Sequence, residues 1–150
     1  MNAAPPLLLV FAALISAGAL LSVQTPINAA LARGLGDPTI AACASFLVGF
    51  LVMAVVCAVR GAWPATGFGG QTPMWAWIGG AMGAFYITAL ILCVPLTGAL
   101  TAAAAVIFGQ LAMAMIMDRF GAFGLPVQAI TWQRVGGLVL VMAGLLLSRA

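Results

Sequence analysis

The chain has no histidine, no lysine and no glutamate. Only 5% of its 150 residues are charged: five arginines against Asp37 and Asp118. A soluble domain of this length needs far more charge to cover its surface. The scarcity also excludes chemistry. No His, Cys or carboxylate set has metal-ligand spacing, no glycine loop is built for nucleotide phosphates, and no nucleophile has a base beside it. An enzyme is not expected, nor a metal or cofactor, nor ATP-driven transport by this chain alone. The arginines are scattered singly, so there is no basic patch for nucleic acid. The three cysteines, Cys43, Cys57 and Cys93, lie in apolar runs without paired spacing. They read as small hydrophobes, not as disulfide partners or metal ligands.

What the chain does have is hydrophobic residues, 65% of the total. Several apolar runs approach or exceed the ~18 residues that mark a membrane-spanning helix. They do not alternate apolar with polar, which argues against a membrane barrel, and a helix satisfies its own backbone in lipid. The expectation is an all-α integral membrane protein embedded in the lipid bilayer. It forms a single domain over 1–150, with five spans at about 6–32, 38–59, 73–93, 97–117 and 131–147. Gly34 and Gly36 suit a helix stop, Asp37 and Pro38 a helix start, and Thr72 a cap for the third span. "VPLTG" (94–98) reads as the break between the third and fourth. "ALA" at 30–32 resembles a signal-peptide cleavage site. However, "MNAAPP" carries no Lys or Arg, and the run after it exceeds a usual h-region, so the first span is expected to be retained.

An odd number of spans puts the termini on opposite sides. Arg60, Arg119 and Arg134 then fall on the N-terminal side, and Arg33 and Arg149 on the other. The positive-inside rule finds little imbalance to read. Either the N-terminus is weakly held inside, or the same chain inserts both ways. All four tryptophans (Trp63, Trp75, Trp77, Trp132) fall on the N-terminal side. Two antiparallel copies would have aromatic belts at both faces.

Polar groups interrupt the spans at few places. In "QTPIN" (24–28), Gln24 and Asn28 share one helix face. In lipid their carboxamides cost several kcal/mol unless paired (~2–7 for an unpaired amide). Pro26 removes one backbone N–H, marking a helix break. The motif therefore lines a binding cavity, as in broken transporter helices, or glues helices together. Gln110 stands mid-span beside Gly109 and needs a partner; it is expected to line a cavity, the alternative being polar glue between helices. Tyr86 either bonds within the core or stacks on a substrate. Small residues form packing ridges: Ala41, Ser45 and Gly49; Gly79 and Gly83; Thr101, Ala105 and Gly109. Asp118 ends the fourth span, where it opposes the helix dipole. Arg119, or an arginine on another helix, is expected to pair with it at the interface.

Taken together, "VQTPINAALARGLG" (23–36), "ASFLVGF" (44–50), "WIGGAMGAFYI" (77–87), "GQLAMAMIMDRFG" (109–121) and "TWQRVGGLVLVMAGLLL" (131–147) resemble the YdcZ-like family. That family is a five-helix branch of the drug/metabolite transporter superfamily. The resemblance runs in order over nearly the whole chain. It implies a small-molecule transporter of the bacterial inner membrane that works as an antiparallel pair, each chain being half of an inverted repeat. Members occur as single dual-topology chains, as paired chains or as fused ten-helix proteins; an antiparallel homodimer is the expectation for this chain. It marks Gln24, Asn28, Gln110 and Asp118 as characteristic positions without assigning their roles. Arg119 stands where the resemblance leads one to expect His. The expected function is secondary transport of a small neutral or weakly polar molecule by alternating access. The alternative is a non-transporting assembly or regulatory subunit.

Overall fold

A computed structural model describes residues 6–63 and 72–148. Most of the 61–71 loop and Arg149, placed by sequence on opposite sides of the membrane, lie outside the described residues. Five α-helices account for the fold, α1 (Leu7–Leu35), α2 (Pro38–Arg60), α3 (Ile78–Thr97), α4 (Ala99–Phe120) and α5 (Trp132–Leu147), with no strand among the described residues. The protein is an all-α, five-helix membrane protein. The first four helices are long and apolar enough to cross a membrane, α3 being counted with the 3-10 turn Met74–Trp77 that leads into it. α5 has 16 residues. At 1.5 Å per residue it reaches roughly 24 Å, short of the ~30 Å hydrocarbon core.

The chain divides into two compact units, Met1–Pro95 and Leu96–Ala150. In the first, α1 ends where Gly36 adopts φ 80° and donates its N–H to the Ala32 carbonyl at 2.9 Å. Asp37 then caps α2, its Oδ1 accepting the amides of Thr39 at 2.6 Å and Ile40 at 3.0 Å. These two amides hold the Asp37 carboxyl below its ordinary pKa, Ile40 contributing most. The tight turn brings small side chains together, and Ala32, Ala41 and Ala42 form the core with Ile91 of α3. Small residues allow such close approach where no water drives burial. Beyond this core, α1 and α2 present mainly exposed apolar side chains, the face a helix shows to lipid.

The second unit is the α4–α5 hairpin. Gly98, with φ 80°, starts it. Gly121, with φ 61°, ends α4, and a Cβ there would lie 2.8 Å from Val127 Cγ2 and 3.1 Å from the Leu125 carbonyl oxygen. Only glycine fits that reversal. Thr131 starts α5, its hydroxyl accepting the Arg134 amide at 3.4 Å. At the far end, Thr101 donates to the Ser148 carbonyl at 3.1 Å, and Ser148 donates to Thr101 Oγ1 at 3.2 Å.

Three expected boundaries move. α1 is not interrupted at Pro26 but runs on to Leu35. An internal proline forfeits the hydrogen bond to the carbonyl four residues back, and the neighbouring Thr25 hydroxyl binds the Leu21 carbonyl at 3.1 Å. α3 likewise passes through Pro95, so the break falls at Gly98, whose left-handed backbone a proline cannot supply. Thr72 is not the cap: Pro73 takes that position before the 3-10 turn. Cys43 and Cys93 are exposed and Cys57 is half-buried, so none of the three sits in a core.

Candidate functional site

Leu21, Gln24, Thr25 and Asn28 recur at helical spacing and form one stripe of α1. Across from it stand Tyr86, Ile87, Leu90 and Ile91 of α3, and these eight residues line a slot of about 10 Å³. That is room for about one water molecule. Three residues singled out by sequence, Gln24, Asn28 and Tyr86, thus lie around one opening within the first unit. Thr25 and Asn28 are buried, the latter 5% exposed; Gln24 and Tyr86 are half-buried.

The hydrogen-bonding state of this group is uneven. Thr25 spends its hydroxyl on the Leu21 carbonyl, and Ser22 spends its own on the Gly18 carbonyl at 3.1 Å. No side-chain hydrogen bond engages Gln24, Asn28 or Tyr86 among the described residues. Yet no fully enclosed polar side-chain atom lacks a partner, so the Asn28 amide keeps some access. The surface of the slot itself is apolar: the carboxamides flank the opening and do not fill it. A buried carboxamide without a protein partner is uncommon. Water, a ligand or a second protein chain can satisfy it.

The other candidates lie elsewhere. Gln110 is on α4, in the second unit, exposed and outside this slot. A Cβ added at Gly49, Gly79 or Gly109 would meet nothing within 4 Å; at Gly83 it would lie 3.3 Å from Phe46 Cζ of α2. Of these glycines, only Gly83 has a close neighbour among the described residues. Ser45 is half-buried on α2.

The partner of Asp118 is on another helix, not its neighbour Arg119. Asp118 Oδ2 lies 3.0 Å from Arg134 Nη1 on α5. Gln128 completes the cluster, donating its backbone N–H to the Asp118 carbonyl at 2.8 Å and accepting from Arg134 Nη2 at 3.4 Å. Sequence reading gave Arg134 only a topological role and Gln128 none. The signal was the Gly121 reversal, which folds the loop back over the end of α4.

A family model described as "Putative inner membrane exporter, YdcZ" matches residues 9–147. No curated protein and no solved structure matches the chain.

Proposed function

The chain belongs to the YdcZ family of inner-membrane exporters, and from that premise we propose that it is a secondary-transporter subunit. In this reading two chains pair antiparallel in the bacterial inner membrane. They move a small, neutral or weakly polar molecule by alternating access. The observation that carries it is the convergence of Asn28, Gln24 and Tyr86 at one slot, none of them with a side-chain hydrogen bond among the described residues. Carboxamides and a phenol offer donors and acceptors without charge, which suits an uncharged solute. The tyrosine ring adds a flat apolar surface.

A slot of about 10 Å³ is far below the ~300 Å³ at which small-molecule sites begin. Substrate entry therefore requires α1 to part from α3. The same tightness favours a second reading, a non-transporting assembly subunit in which this face stays closed. Thermal-shift screening of uncharged metabolites on the purified protein separates the two. Under the transporter reading a ligand raises the melting temperature of the wild type and not of Asn28→Leu. If no uncharged solute stabilises the wild type, the assembly reading prevails.

A further inference from the structure

α4 and α5 enclose a groove of about 410 Å³, within the ~300–1,000 Å³ range of small-molecule sites. Its walls come from Leu111, Ala114 and Met115 on one helix and Gly137, Leu138 and Val141 on the other, and Asp118 and Arg134 stand at its head. On each helix these residues follow i, i+3, i+4, i+7 spacing, so the groove runs about two turns along the hairpin. The lining is mainly apolar apart from the ion pair.

The pair has hydrogen-bonding capacity left over. A guanidinium carries five N–H donors and a carboxylate about four acceptor sites. The contacts to Asp118 and Gln128 engage Arg134 through Nη1 and Nη2, and about a third of each charged side chain stays exposed, 36% for Arg134 and 30% for Asp118. A complementary ligand has an anion for the guanidinium, a hydrogen-bonding cation for the carboxylate, and an apolar body for the groove. The two protein charges cancel, which favours a head that is neutral overall. Arg119 does not line the groove.

We infer that this groove binds a zwitterionic phospholipid with a primary ammonium, its acyl chain between α4 and α5, its phosphate on Arg134 and its ammonium on Asp118. The site is independent of the transport reading above. It lies in the second unit, and the lipid need not be cargo.

Native mass spectrometry of the delipidated protein tests the assignment. The probes are phosphatidylethanolamine, phosphatidylcholine and phosphatidylglycerol with identical chains. One phosphatidylethanolamine per chain should bind roughly tenfold more tightly than either of the others, the worth of one charge-assisted hydrogen bond. Phosphatidylcholine keeps the phosphate but has no ammonium N–H to donate. Phosphatidylglycerol has no cation. Asp118→Asn should erase the preference, whereas Arg134→Gln, which removes the phosphate partner common to all three lipids, should weaken every one of them. Leu138→Trp keeps the ion pair but fills the groove, and should abolish binding while the protein remains monodisperse. Equal retention of all three lipids overturns the inference. So does a preference for phosphatidylglycerol that Asp118→Asn leaves intact. Full competition by soluble phosphoethanolamine would assign the site to a free head group, and cross-linking of Leu138 to a second copy without bound lipid would assign the groove to a dimer interface. Either outcome also overturns it.

Discussion

Asp118 and Arg134 face each other at 3.0 Å, and each stands at the end of its helix where the macrodipole disfavours its charge. Asp118 lies in the last turn of α4, at the negative end. Arg134 lies in the first turn of α5, at the positive end. Each misplacement costs about 0.3–1 kcal/mol at an exposed site. Mutual attraction offsets this by about 0.2–1 kcal/mol, because the pair is partly solvated. The net contribution of the pair to hairpin stability is therefore small.

That relationship makes a charge exchange informative. Arg134→Ala should destabilise the hairpin only slightly, by at most about 1 kcal/mol. The double exchange Asp118→Arg with Arg134→Asp restores a pair and puts each charge at its favourable helix end. It should unfold at higher denaturant than the wild type in the same detergent, while losing the Gln128 contact to Arg134 Nη2. Chemical denaturation of the wild type, both singles and the double variant closes the cycle. A double variant less stable than either single would mean that the loop geometry around Gln128 outweighs the dipoles.

Asp37 supplies a pH dependence of known sign. Its carboxyl is held below its ordinary pKa by the amides of Ile40 and Thr39. A depressed folded-state pKa gives stability that is complete above the unfolded value and lost as pH falls through the folded one. The first turn of α2 should therefore fray below about pH 4 and stay intact at neutral pH, given a reference carboxyl near ~3.9. Amide exchange at Thr39 and Ile40 reads this directly. Asp37→Asn keeps an acceptor and should remove the pH dependence while retaining the cap; Asp37→Ala should fray at every pH.

Gly121→Ala should cost about 1–2 kcal/mol from its left-handed backbone. The contacts at 2.8 and 3.1 Å add to that. Its signature is local: loss of amide protection at Gln128, whose N–H is bonded to Asp118. If Gln128 stays protected, the reversal does not hold the loop.

Much of the fold was legible in the sequence because lipid permits so few solutions. Apolar runs, the Asp37–Pro38 start and the Gly36 stop placed α1 and α2 within a few residues. The misreadings at Pro26 and Pro95 share a cause. Proline removes one hydrogen bond in a helix whose other bonds have no water to compete with them, so the helix continues. At the slot, Gln24 and Asn28 declared themselves by their cost in lipid, and Tyr86 by its hydroxyl. Nothing in a single sequence tells which helix faces which, so the pairing of α1 with α3 was not readable. For the same reason the partner of Asp118 was open. Arg119 was adjacent in sequence, but Arg134 was brought close by a loop whose path depends on Gly121.

The glycine ridges yield a prediction about assembly. Among the described residues, no atom lies within 4 Å of a Cβ built at Gly79 or Gly109. Gly79→Leu and Gly109→Leu should therefore leave the folded chain intact and act only on a dimer, if a second copy packs there. Gly83→Leu must displace Phe46 and should destabilise the chain itself. Gln110→Leu, on an exposed face, should leave the chain folded; if Gln110 lines a cavity completed by a second copy, as the transporter reading expects, an uptake assay should show impaired transport. Size-exclusion chromatography with light scattering separates loss of the dimer from loss of fold. Normal dimers in both the Gly79 and Gly109 variants would show that these ridges face lipid.

Insertion should be finely balanced. With Arg60, Arg119 and Arg134 set against Arg33 and Arg149, one added arginine is a large fraction of the orienting bias. An arginine inserted in the 61–71 loop should fix the N-terminus in the cytoplasm. One placed beside Gly34 or Gly36 should fix it outside. If the working unit is an antiparallel homodimer, each fixed variant should be inactive alone, and co-expression of the two should restore activity, because each then supplies one orientation. Paired C-terminal reporters, one active only in the cytoplasm and one only outside, measure the orientation independently of transport. A wild-type chain that reports a single orientation would remove the homodimer, leaving an oppositely oriented partner of different sequence or a parallel assembly. A wild type that reports both, with activity lost in each fixed variant and regained on mixing, would establish that the two orientations function together.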